Sequence, residues 1–107
     1  MDYLMITTTT DNQSKAQEIA NTLVTQKIAA CVQIDTIQST YTREKQLQST
    51  TEYRLSIKTK ETLYDEVAVM IRTLHNYETP EIIATTIRYI SEDYATWIEE
   101  NTKETTL

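Results

Sequence analysis

Glycine is absent from the 107 residues of this chain, and cysteine, proline and histidine occur once each. Average chains carry about 7% glycine. Loops that cradle phosphates or dinucleotides need it so that backbone can close on the ligand. Walker-type and dinucleotide-binding folds are therefore excluded, as is the glycine-rich loop of acylphosphatase-like enzymes. One cysteine, Cys31, excludes an intramolecular disulfide framework. No apolar run approaches the ~20 residues of a membrane span. Met1 to Ile6 carry no basic region and no cleavage motif of an export signal, so a cytoplasmic location is expected.

Positive charge is also scarce. Ten Lys and Arg stand against sixteen Asp and Glu, for a net charge of −6. The basic residues are scattered, with no cluster beside aromatics. Nucleic-acid binders set cations against phosphates, so DNA and RNA are excluded as partners, and anionic membranes repel an acidic surface. The one histidine has no nucleophile partner in a Ser-His-Asp pattern, and no recognisable catalytic signature is present. The chain is read as non-enzymatic.

What is present reads as a single domain over residues 1–107. Apolar residues make up only 39%, a share that favours finishing the core by pairing with copies of the chain. Tyr3 to Thr9 is rich in β-formers and ends at the turn-forming Asp11-Asn12. Ala16, Ile19, Ala20, Leu23 and Val24 then recur at helical spacing, with Asp11, Asn12 or Ser14 as cap. Ile28 to Tyr41 is extended, and alternation resumes at Tyr53, Leu55 and Ile57 after the polar Thr42–Gln46, so the two runs form a hairpin. Thr59 or Thr62 opens a second helix with the stripe Leu63, Val67, Met70, Ile71 and Leu74. Ile82 to Ile87 is a fourth strand, Ser91 caps a short third helix, and the polar tail from Asn101 is expected to fray. The order is that of an α+β, ferredoxin-like βαββαβ sandwich with an added C-terminal helix: a four-stranded antiparallel sheet with two helices on one face. Twelve extended residues from Ala30 to Tyr41 span about 40 Å, so the hairpin must bend or project. Its edges then call for a cover, most simply a neighbouring copy in a closed ring.

Several blocks together resemble the CutA family of divalent-cation tolerance proteins. They are Leu23-Val24-x-x-x-Ile28-Ala29-Ala30-Cys31-Val32-x-Ile34, Ser39-x-Tyr41, Lys58-Thr59, His75-x-Tyr77-x-x-Pro80-Glu81-Ile82 and Tyr94-x-x-Trp97-Ile98, in family order and spacing across nearly the whole chain. The resemblance implies a cytoplasmic homotrimer joined through long β-hairpins and associated with tolerance of copper and other divalent metals, with no reaction implied. Arg43, Glu44, Lys45 and Gln46 stand where the family has Trp-x-Gly-Lys, so a more polar and differently shaped hairpin tip is expected. Asn76 replaces a proline. Thr8 and Leu74 occupy positions where copper-binding members carry cysteine and a second histidine, leaving His75 alone of that set.

Candidate site residues gather around the His75–Glu81 turn, which Pro80 keeps out of helix and central strand. Cys31, His75 and Glu81 are the one plausible set of metal ligands, for copper or another divalent ion. Each also has a structural reading: Cys31 as a small buried hydrophobe, His75 as a cap on the helix C-terminus, and Glu81 as a backbone cap. Lys58 and Tyr77 are expected to line a cleft between subunits, with exposure the alternative for Lys58 and interface packing for Tyr41 and Tyr77. The competing functional reading is a regulatory trimer comparable to the nitrogen-regulatory PII proteins, receiving a small anion on Lys58 and His75.

Overall fold

Alternation sets the first strand, β1 (Tyr3–Thr10), which turns Leu4, Ile6 and Thr8 inward. A computed structural model describes residues 2–104. After β1 come α1 (Gln13–Thr25), β2 (Cys31–Arg43), β3 (Gln46–Lys60), a 3₁₀ turn at Glu61–Leu63, α2 (Tyr64–Leu74), β4 (Ile83–Ile87) and α3 (Glu92–Glu100). The four strands form one antiparallel sheet in the order β2-β3-β1-β4, the expected ferredoxin-like plan. No described helix is long and apolar enough to cross a membrane.

The core lies between one sheet face and the apolar stripes of α1 and α2. Ile6, Ile19, Leu23, Leu55, Ile57, Leu63, Val67 and Ile71 are fully buried there, each contributing about 1.5–3 kcal/mol. The opposite face presents Met5, Thr7, Thr9, Arg54, Ser56 and Lys58, the other half of each alternation. At one end of that face α3 packs Ile98 against Tyr3 and Ala30. The rest of it stays open.

Two caps are as the sequence suggests: Asn12 accepts from the Lys15 amide, and Ser91 from the Tyr94 amide. The expected threonine cap on α2 is not formed. Thr59 is buried and its hydroxyl donates to the Ile28 carbonyl at 2.6 Å, tying the entry of β2 to the end of β3. A 3₁₀ turn without a side-chain cap leads into the helix instead. The tail is also more ordered than expected. The Lys103 amide donates to the Lys27 carbonyl, and the buried Lys60 ammonium donates to the Lys103 carbonyl, both at 2.8 Å. Residues 105–107 lie outside the described residues.

The ribbon does project. β1 stops pairing with β3 at Tyr53, but β2 and β3 continue from the Ile37–Glu52 rung to the Arg43–Gln46 rung. That adds about 23 Å at ~3.3 Å per residue. The expected loop at Thr42–Gln46 shrinks to the two residues Glu44 and Lys45, at φ 51° and 65°. Two positive φ values mark the hairpin turn whose twist matches its strands, usually built from Asn-Gly.

With no glycine, Lys27 takes the third left-handed position at φ 60°. It closes α1 in a Schellman arrangement: the Ile28 amide reaches the Leu23 carbonyl, and the Lys27 amide the Val24 carbonyl. A side chain there costs about 1–2 kcal/mol. Lys27→Gly is expected to raise stability by about 1 kcal/mol in denaturant unfolding. Lys27→Val should lower it, because a β-branched residue fits positive φ poorly.

Candidate functional site

The turn after α2 is held through its own side chains. His75 ends the helix, its amide donating to the Ile71 carbonyl at 2.9 Å. Its ring is engaged on both sides: Nε2 lies 2.8 Å from the Thr9 carbonyl, and Nδ1 accepts the Tyr77 amide at 2.9 Å. A carbonyl only accepts and an amide N–H only donates, so the imidazole is neutral here with its proton on Nε2. Asn76 fastens the next residue to the end of β1. It accepts from the Thr10 hydroxyl at 2.6 Å and donates to Asp11 at 2.8 Å, which accounts for an amide where the resembling family has proline.

Tyr77 then reaches the base of the ribbon. Its hydroxyl donates to Glu52 Oε2 at 2.7 Å, and Glu52 is only 7% exposed. Burial raises the phenol pKa above its ordinary value, reinforced by the hydrogen bond to Glu52 and by the charges of Glu52 and Asp11. A cleft of ≈ 720 Å³ opens between this turn and the ribbon. Asp11, Glu52, Glu78 and Glu81 bring four carboxylates to its walls, against the single guanidinium of Arg43, with the Tyr41 and Tyr77 rings between them.

Of the candidate residues singled out in the sequence, Tyr41, Tyr77 and Glu81 line this cleft. His75 stands behind Tyr77 rather than in the cleft wall. Cys31 and Lys58 lie elsewhere, opposite each other across β2 and β3. Arg54 pairs with Thr9, whose carbonyl holds His75, so Lys58 is four residues farther along β3, or about 13 Å. The Lys58 ammonium donates to Gln33 at 2.8 Å and stands 5.8 Å from the Tyr94 ring. Cys31, His75 and Glu81 therefore do not fit a metal centre within one chain: the imidazole offers no free nitrogen, and the thiol sits far along the sheet. Among the described residues no group of three or more His, Cys, Asp or Glu side chains is placed to hold an ion. Glu52 was not singled out in the sequence, and Asp11 and Asn76 were read there only as a turn or cap residue and as a replacement for proline, not as parts of a site. Nothing local marks Glu52, since it becomes a wall only once the turn lies against the ribbon.

The family model for the CutA1 divalent ion tolerance protein matches residues 4–101. A chloroplastic CutA protein of Arabidopsis thaliana is 34% identical over 101 residues, covering 94% of this chain and 56% of its own length. The chain thus spans about half the length of that plant relative. A crystal structure of CutA1 from Oryza sativa superposes with a TM-score of 0.94 at 31% identity, covering 98% of this chain and 97% of that one. CutA1 from the psychrotrophic bacterium Shewanella sp. SIB1 superposes at 0.92 with 36% identity, covering 95% and 96%.

The Tyr77–Glu52 bond has a pH signature. A phenol pKa raised in the folded state favours the protonated form on folding. Its contribution is fully present below the unfolded value of about 10 and is lost as pH rises through the folded value. Tyr77→Phe is expected to cost about 1–3 kcal/mol at pH 8, since it leaves a buried acceptor unpaired. It should also flatten the fall in stability above about pH 10. Denaturant unfolding between pH 8 and pH 11 (approximate limits set by the phenol range) checks both; a variant with an unchanged alkaline limb would remove Tyr77 as its source.

Proposed function

Because the chain belongs to the CutA1 family of divalent ion tolerance proteins, we propose that it serves divalent-cation tolerance as a non-catalytic binding or signalling module, a homotrimer of the cytoplasm, with copper among the ions it answers to. The observation that supports this reading most is the ribbon. Beyond Tyr53, β3 loses its β1 partner and β2 has none on its outer side, so both edges of the projecting segment carry unpaired backbone groups. Leu47 on the ribbon is 79% exposed, and Ile83 on the open sheet face 56%. Natural proteins cover such edges and apolar side chains. A three-fold ring in which each ribbon lies on the next protomer covers both at once.

In this reading Tyr77 and Glu81 belong to the working cleft, and His75 positions its wall. Copper tolerance would not run through a Cys31, His75 and Glu81 centre inside one chain. The anion-binding alternative draws little support. Lys58 and His75 share no cavity, and the cleft walls carry carboxylates, which repel an anion.

Light scattering at micromolar concentration should give three chain masses for the native protein, and Leu47→Glu should shift it towards one. A native protein of one chain mass would sink the assembly. In native mass spectrometry with added Cu²⁺, His75→Ala should bind as many ions per trimer as the native chain. Loss of copper in that variant would restore the imidazole as a ligand.

A further inference from the structure

We propose that the His75–Glu81 turn is a proton-operated latch, in which protonation of the His75 ring releases the Tyr77 amide and loosens the Tyr77 wall of the cleft. This deepens the reading of the cleft given above by naming what regulates its wall. It depends neither on trimer formation nor on copper, so either can fail while this stands.

The way the turn is held carries the inference. Between α2 and β4, residues 76–81 make no hydrogen bond between main-chain groups among the described residues. One main-chain group of that stretch is bonded to protein at all, the Tyr77 amide, and its acceptor is His75 Nδ1 at 2.9 Å. The remaining ties are side chains: Asn76 to Thr10 and Asp11, and the Tyr77 hydroxyl to Glu52. The Asn76 bonds fix the first residue of the turn, so whatever the ring releases begins at Tyr77.

The imidazole holds that amide only while neutral. A second proton makes both ring nitrogens donors. Nε2 still donates to the Thr9 carbonyl, now as a charged donor, so the ring keeps its place. Nδ1–H then meets the Tyr77 N–H, donor against donor. The ring is pinned to β1 and the amide is not, so the amide leaves.

The charges around the ring let it accept that proton. None of the ion pairs among the described residues includes the imidazole. On α2, Arg72 lies in the last turn before it. Asp11, just past β1, is tied to Asn76, and Glu52 on β3 to the Tyr77 hydroxyl. Arg54 on β3 is held by Asp35. Glu78 and Glu81 follow in the turn itself, and Arg43 faces them across the cleft. Carboxylates outnumber the free guanidiniums, which favours a cationic ring, whereas the amide bond favours a neutral one. Opposed preferences of this kind make a two-state element that a small change of pH can tip.

Amide hydrogen exchange followed by NMR between about pH 8 and pH 5 tests this, with a chelator present so that metal ions take no part. As the imidazole resonances titrate, protection of the Tyr77 amide relative to an unstructured chain at each pH should fall at least tenfold. Core amides of β1 and β3 should keep theirs. His75→Asn is the decisive variant, because an asparagine oxygen accepts the amide two residues on and takes no proton in this range. Its Tyr77 amide should stay protected throughout, whereas in His75→Ala it should be unprotected throughout. Constant protection in the native protein across the ring titration would overturn the proposal, whether or not either variant folds. So would a protected Tyr77 amide in His75→Ala. An equal fall in His75→Asn, with a change of mass in light scattering, would also overturn it by assigning the effect to an interface.

Discussion

The mismatch in length between β1 and β3 organises this molecule. β1 has eight residues and β3 fifteen, and the two pair only over the half of β3 that lies under α1 and α2. Within that half, backbone is satisfied on both sides of β3, and its buried side chains Leu55 and Ile57 face the helices with Thr59 closing the row. Beyond it, β3 has β2 alone, and the pair leaves the body as a ribbon. The cleft forms where the two regimes meet, because Glu52 is the first residue of β3 past the end of β1. The turn after α2 fills the corner that β1 leaves empty, which brings Tyr77 to Glu52 and the carboxylates of the turn to face the ribbon.

A chain without glycine still has to turn, and it does so by accepting left-handed conformations at Lys27, Glu44 and Lys45. At Lys27 the cost is offset locally. The Schellman closure satisfies two end carbonyls and drops Ile28 onto Leu23, both buried, and the carbonyl of Lys27 then receives the C-terminal segment. At the ribbon tip no comparable packing exists. Glu44 and Lys45 are exposed, so cross-strand pairing alone holds that turn. The Gln38 side chain spans to Ser49 and Thr51 at 2.9 and 3.0 Å, and Tyr41 to Thr50 at 2.9 Å. These polar ladders let a ribbon persist without a core beneath it.

The architecture was legible because its signals are periodic. The stripes of α1 and α2 and the alternation of β1 and β3 each report burial against one partner, and together they leave few topologies. The long extended run from Ala30 correctly announced a projection. Elements depending on a single contact were not legible. Thr59 looks like a helix cap until the fold brings the Ile28 carbonyl within reach, and the polar tail looks frayed until Lys60 is buried beside it. The candidate site shows the same division. Tyr77 and Glu81 sit in a turn that Pro80 announces, whereas Glu52 and Asp11 join it across 25 and 65 residues of sequence. No local pattern carries that information.

His75 shows how a residue with conspicuous chemistry can be absorbed into structure. An imidazole at a helix end can cap, ligate or carry a proton, and all three remain open in the sequence. The fold decides by geometry. Thr9 supplies a carbonyl to one nitrogen, and the chain curls so that the Tyr77 amide meets the other. With both nitrogens committed to backbone, the ring aligns the turn and its 4.9 Å contact with the Tyr77 ring passes that order on. The chemistry of the cleft is thereby left to its carboxylates. They cluster on a chain already six units negative, in a concave site where fields of one sign reinforce each other.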